Sequence, residues 1–125
     1  MITTKPHTQT VEGIGAFTWR IPRTMRDEIR IAAEVSRMIE GVETPSRWLS
    51  SVSEMQAALK VLTVEAPAGW NLDDMDPLDP ETYWKLSEVF GAMRATEDGF
   101  RRERRERGQT RGQGDGGDSA AVVPA

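Results

Sequence analysis

The chain contains no cysteine, which excludes disulfides, thiolate metal sites and cysteine nucleophiles. Its one histidine, His7, stands in a polar N-terminal segment, so neither a zinc site nor a Ser/His/Asp triad can be built around histidine. No apolar run approaches the roughly 18–20 residues of a membrane span, and MITTKPHTQTVEG lacks the apolar core of a signal peptide. No GK[ST] follows the glycines at 13, 15, 112, 114, 116 and 117, and none of them opens a predicted helix, so no phosphate loop is expected. These absences point to a soluble, non-enzymatic protein of a reducing cytoplasm, with no cofactor.

Apolar residues are also scarce. Hydrophobic content is 38%, against the usual globular share of roughly 45–50%, glycine included. Part of the shortfall lies in residues 101–125, which hold two valines and no Leu, Ile, Met or aromatic residue. Of the 125 residues, about 80–90 are expected to build one modest core. Residues 1–100 carry 10 Lys/Arg against 16 Asp/Glu, a balance of −6, and residues 101–125 carry six Arg against four acids, a balance of +2. An acidic body with a short basic end argues against a dedicated nucleic-acid binder, which carries its basic patch on the body.

What is present is helical periodicity. Trp48, Val52, Met55, Leu59 and Leu62 recur at steps of three and four, with Leu49 and Ala58 widening the stripe. Thr44 and Pro45 read as N-cap and first helical residue, and Pro67 and Gly69 as the stop. The flanking segments should cover this helix. Residues 1–12 read as a loose arm. In GIGAFTWRIP, Phe17, Trp19 and Ile21 alternate with Thr18 and Arg20, which predicts a half-buried strand, with Val11 and Ile14 as a weak partner in a hairpin. Thr24 caps a second helix with Asp27 as capping-box partner, and Gly41 ends it. Ile29, Ala32, Ala33, Ser36 and Ile39 form one apolar face of that helix, and Ile31, Val35 and Met38 another. The short connection from 41 to 43 predicts an αα-hairpin.

Residues 66–80 form a proline- and aspartate-rich loop, pinned by Trp70, Leu72 and Met75. Asp79–Pro80–Glu81 starts a third helix with Tyr83, Leu86, Phe90, Met93 and Phe100 as its buried stripe. RRERRER extends that helix to Arg107, and the glycine-rich stretch from Gly108 reads as disorder. The predicted fold is mainly α: a small bundle of three helices with a short N-terminal strand or hairpin packed on it. The expected division is a flexible arm at 1–12, one domain at 13–102 and an Arg/Gly-rich tail at 103–125.

The acids at 73, 74, 76, 79 and 81 invite a calcium loop, but counting from Asn71 puts Met75 at the fifth position and Asp76 at the sixth, where an EF-hand needs a ligand and a glycine. They read as loop and cap acids, and no catalytic, cofactor-binding or metal-ligating residue is assigned. The arginine run can neutralise phosphates, although Glu103 and Glu106 dilute it. Four tryptophans, at 19, 48, 70 and 84, exceed the usual number, and Trp84 lies off the third stripe, where it is available to a partner.

Taken together, GAFTWRIPRTMRDEIRIAAEVSRMIEG, ALKVLTVEAPAGWN and LSEVFGAMRATEDGFRR resemble the small tail assembly chaperones of long-tailed, siphovirus-type bacteriophages and prophages. The resemblance implies a chaperone that binds the tape measure protein, helps recruit tail-tube subunits, acts in the host cytoplasm, self-associates before its client arrives and is absent from the finished virion. It also raises a frameshifted longer product. Such a protein needs exposed amphipathic surface, and the expected protein-binding residues are Ile31, Val35, Met38 and Trp84. The alternatives are a tail or head–tail connector component retained in the virion, or a nucleic-acid-associated regulator acting through the arginine run.

Overall fold

The structure is a computed structural model that describes residues 6–113, with side chains over residues 6–108. β1 (Pro6–Val11) and β2 (Gly15–Arg20) pair as an antiparallel hairpin, His7 opposite Trp19 and Val11 opposite Gly15. The segment expected to be a loose arm is therefore a strand from Pro6 onward. The reason is a weak period of two, His7, Gln9 and Val11, whose side chains turn to the helices while Pro6, Thr8 and Thr10 face out. His7 lies edge-on to Phe100 with ring centroids 5.2 Å apart, and Gln9 Oε1 accepts a 2.6 Å hydrogen bond from Thr96.

The hairpin turn needs Gly15. Its φ is +146°, and a Cβ there would stand 2.7 Å from the Pro67 ring, so the turn sits directly on the proline-rich loop. β3 (Thr63–Glu65) pairs antiparallel with the other edge of β2, giving a three-stranded sheet in the order β1-β2-β3. This third strand was not expected. Leu62 ends the helical stripe, and the β-branched pair Thr63–Val64 then extends and finds the open edge of β2.

α1 (Met25–Met38) begins with the expected capping box: Thr24 Oγ1 accepts from the Asp27 amide at 3.2 Å, and Asp27 Oδ2 accepts from the Thr24 amide at 3.0 Å. α2 (Arg47–Leu62) starts two residues later than expected. Ser46, not Thr44, is its N-cap, with Oγ accepting from the Leu49 amide at 3.1 Å. Its stripe Val52, Met55, Ala58, Leu59 and Leu62 is buried, but Trp48, in the first turn, is half-exposed. α3 (Pro80–Gln113) is capped by Asp79, whose Oδ2 accepts from the Thr82 amide and hydroxyl at 3.0 and 2.8 Å. Leu86, Val89 and Met93 are fully buried, Phe90 and Phe100 partly so, and Tyr83 is exposed rather than part of the stripe.

The helix passes through Gly108, where disorder was expected to begin. A good helix-forming run carrying a Glu103–Arg107 pair at 3.6 Å propagates at one hydrogen bond per residue, which offsets a cost of about 1 kcal/mol at each glycine. The disorder expected for residues 114–125 lies outside the described residues.

The core joins Phe17, Trp19 and Ile21 of the sheet segment to Ile31, to the α2 stripe and to Leu86, Val89 and Met93. α2 packs against both α1 and α3, whereas α1 and α3 have little backbone contact. Three helices and an antiparallel sheet thus share one core, and the helices do not close into a bundle. Phe17 meets Trp70 edge-on at 5.0 Å, and Gln56 Nε2 donates to the Met75 carbonyl at 3.1 Å, which ties the 66–79 loop to the core. No helix among the described residues is long and apolar enough to cross a membrane.

Candidate protein-binding surface

α1 has two apolar faces, and α2 covers one of them. Ile31 is 4% exposed and belongs to the core, with Val35 and Met38 half-buried beside it. The expected binding trio is therefore split. Val35 opens, with the edge of Ile31, onto a shallow groove of about 310 Å³ between α1 and α2, shared with Glu28, Ala32, Ser50 and Glu54. Met38 lines a separate cleft of about 590 Å³ between α1, α2 and the 72–77 loop. Lys60 sits between Glu34 and Asp73 across that cleft, 3.3 Å from each. A hydrogen bond from Arg37, aided by Lys60, holds the Glu34 carboxyl below the usual carboxylate range despite its partial burial. These ion pairs engage Glu34, Arg37, Lys60 and Asp73 of the cleft wall with one another.

The uncovered face is the other one. Met25 is 75% exposed and Ile29 63%, one turn apart, and Ala32, Ala33 and Ser36 continue the same stripe along the helix, all exposed. Arg26, Arg30 and Arg37 run along one border of this stripe. On the other border Glu28 is held by Arg23 at 3.1 Å. Ala32 links the stripe to the Val35 groove, so the open apolar surface wraps from the outer face of α1 toward α2.

What aims α1 is a buried carboxylate. Glu97 of α3 has no solvent exposure and accepts from Arg23 through both the guanidinium, at 2.9–3.2 Å, and the backbone amide, at 2.7 Å. Arg94 and Arg101 approach the same carboxylate at 3.6 and 3.5 Å. Burial alone would push Glu97 up. The hydrogen bonds from Arg23 and the charges of Arg23 and Arg101 outweigh it and hold the carboxyl below its ordinary range. Burial likewise opposes the charge on Arg23, yet Glu97 and Glu28 raise its pKa. At the neighbouring corner Asp27, itself buried, pairs with Arg20 at 2.9 Å while closing the capping box. Arg20 also donates to the Val61 carbonyl at 3.0 Å. Two ion pairs thus fasten the first turn of α1 to β2, α2 and α3.

Trp84 is 50% exposed, on the open side of the first turns of α3 near the exposed Tyr83 and Leu78. The loop acids are engaged locally: Asp73 with Lys60, Asp74 accepting from Asn71 at 2.7 Å, and Asp76 from the Leu78 amide at 2.9 Å. Among the described residues no cluster of His, Cys, Asp or Glu has the composition to hold a metal ion. Residues 101–108 at the far end of α3 are exposed throughout, and among the described residues Arg102, Arg104 and Arg105 have no carboxylate partner.

No protein-family model, curated protein or solved structure matches this chain. The functional reading therefore stands on the surface itself.

Sequence reasoning saw both apolar faces of α1 and placed the binding trio on the one that packs toward α2, where Val35 and Met38 stay half-buried and Ile31 alone is fully covered. The signal that separates them is the charge pattern. Asp27 and Glu34, which take ion-pair partners from other elements, flank Ile31, whereas Arg26 and Arg30, without a carboxylate partner among the described residues, flank Ile29. Glu97 gave no sequence signal, because an acid in a charged helical segment reads as solvated.

Proposed function

We propose that this chain is a tail assembly chaperone of a siphovirus-type bacteriophage or prophage, holding apolar helical segments of the tape measure protein until tail-tube subunits are recruited around it. The observation that carries this reading is the open stripe Met25–Ile29–Ala32–Ala33 on a helix anchored by two ion pairs. Exposed apolar surface on a fixed helix, on an acidic and hence self-repelling body, suits transient capture of an amphipathic helical client. The client-binding residues move accordingly, from Ile31 and Met38 to Met25 and Ile29, with Val35 at the groove. Trp84, with Tyr83, remains an accessory contact for the tail-tube protein.

Co-expression with the tape measure protein of the same genome tests this. The wild-type chain keeps the tape measure soluble and co-purifies with it, and Met25→Glu/Ile29→Glu loses both. Retention of the chain in purified virions would instead favour a structural tail component.

Arg102, Arg104 and Arg105, without a carboxylate partner among the described residues, support one other reading, a phosphate-binding helix end. Salt-dependent DNA affinity that disappears on truncation at Phe100 is its signature.

A further inference from the structure

The open face of α1 is asymmetric in charge, and that asymmetry describes what lies on it. Arg26 and Arg30 stand one turn apart along one border of the Met25–Ile29 stripe, exposed and without a carboxylate partner among the described residues. Arg37 extends the row but is held by Glu34. The opposite border carries acids instead: Glu28, engaged by Arg23, and Glu54 of α2, which lines the groove beside Ala32 and Val35. Ala32 and Ala33 are exposed and small beside the two large side chains, which leaves room for side chains spaced at i, i+3 and i+4 on a second helix.

We propose that this face binds an amphipathic helix whose apolar stripe is bordered along one side by carboxylates, in the orientation that brings those carboxylates onto Arg26 and Arg30. The inference rests on the reading of α1 as a client-binding face and narrows the client's chemistry. A second copy does not fit. Antiparallel pairing of two α1 helices about a two-fold axis sets Arg26 and Arg30 of one copy against the same row in the other, a like-charge juxtaposition. Parallel pairing sets that row against Glu28, which Arg23 already holds, and Glu54 of α2, so here the small area and not charge decides against a second copy. The stripe is also small. Fourteen residues of helix span roughly 21 Å, and a face roughly 10 Å wide then covers about 200 Å², far below the roughly 800 Å² per partner of a stable dimer. The contact is accordingly weak and reversible, with charge setting its orientation.

The test uses two synthetic 18-residue helical peptides with the same Leu/Ala stripe, one bordered by Glu and its counterpart by Lys, titrated onto the full chain by fluorescence anisotropy at low and high salt. The Glu-bordered peptide is expected to bind about tenfold more tightly at low salt, with the difference shrinking as salt rises. Arg26→Glu/Arg30→Glu reverses the preference, Arg26→Gln/Arg30→Gln abolishes it, and the distant control Arg102→Glu/Arg105→Glu leaves it unchanged. Circular dichroism confirms that each variant is folded, and the Gln pair answers the question if the Glu pair is not. Equal binding of both peptides, a preference untouched by either α1 variant, or a dimer in sedimentation that Ile29→Glu dissociates would each overturn the inference. If the peptides show no preference while the tape measure still co-purifies through Met25 and Ile29, the charge inference fails and the chaperone reading survives. The converse result, an acidic peptide preferred but no tape measure captured, separates them the other way.

Discussion

Glu97 and Arg23, 74 residues apart in sequence, meet in a buried pair in which the carboxylate takes both the guanidinium and the backbone amide of the same residue. Arg23 precedes the N-cap of α1, so this pair ties the long α3 to the point where the sheet segment passes into α1. It holds the binding face at a fixed angle to the rest of the core. Removing the carboxylate leaves a largely buried guanidinium with only the exposed Glu28 as partner, and Glu97→Ala is expected to cost about 2–4 kcal/mol, read as a fall in the denaturant midpoint.

The pH dependence follows from the same pair. Glu97 titrates below its unfolded value, so its contribution is complete above the ordinary carboxylate range and is lost as pH falls through the lower folded pKa. The melting temperature of the wild type should fall on acidification below pH ~4. In Glu97→Gln the starting stability is lower and the acid-induced fall shallower. Melting curves from pH 7 to 3 compare the two slopes, and parallel slopes would contradict this account.

Gly15 makes a second, independent test. At φ +146° and with Pro67 2.7 Å from the position of a Cβ, Gly15→Ala strains the hairpin turn by about 1–3 kcal/mol. Gly13 has positive φ and open space around it. Its alanine variant is therefore expected to lose less, and equilibrium unfolding of both variants checks the order.

In α2 the two ends of the predicted stripe should behave differently. Leu59→Ala removes a fully buried side chain and is expected to cost about 2–5 kcal/mol. Trp48→Ala removes a half-exposed one and stays within roughly 1 kcal/mol. Comparable losses would mean that Trp48 belongs to the core after all.

How much of this was legible in the sequence depended on whether the signal was local. The Thr24–Asp27 capping box, the Asp79 cap and the alternation of Phe17, Trp19 and Ile21 are decided within a few residues, and each stands in the structure. The hairpin was expected from Val11, but the reach of β1 back to Pro6 and the whole of β3 were missed, because Thr8 and Thr10 are polar and Thr63–Glu65 is short. What makes them strands is the hydrogen-bonding edge that β2 presents on either side. The choice of Ser46 over Thr44 turns on two neighbouring caps of similar strength. For the binding surface, periodicity showed that α1 has more apolar arc than one neighbour can cover. Which arc stays open depends on partners in other elements: Arg20 for Asp27, Lys60 for Glu34 and Glu97 for Arg23.

The central claim is that the exposed Met25–Ile29 stripe is a binding face and not surplus core. The direct measurement is co-purification of the tape measure protein with Met25→Glu/Ile29→Glu, set beside that variant's melting temperature. The account predicts a melting temperature close to wild type and loss of the tape measure from the soluble fraction. A folded variant that still holds the tape measure in solution would contradict it.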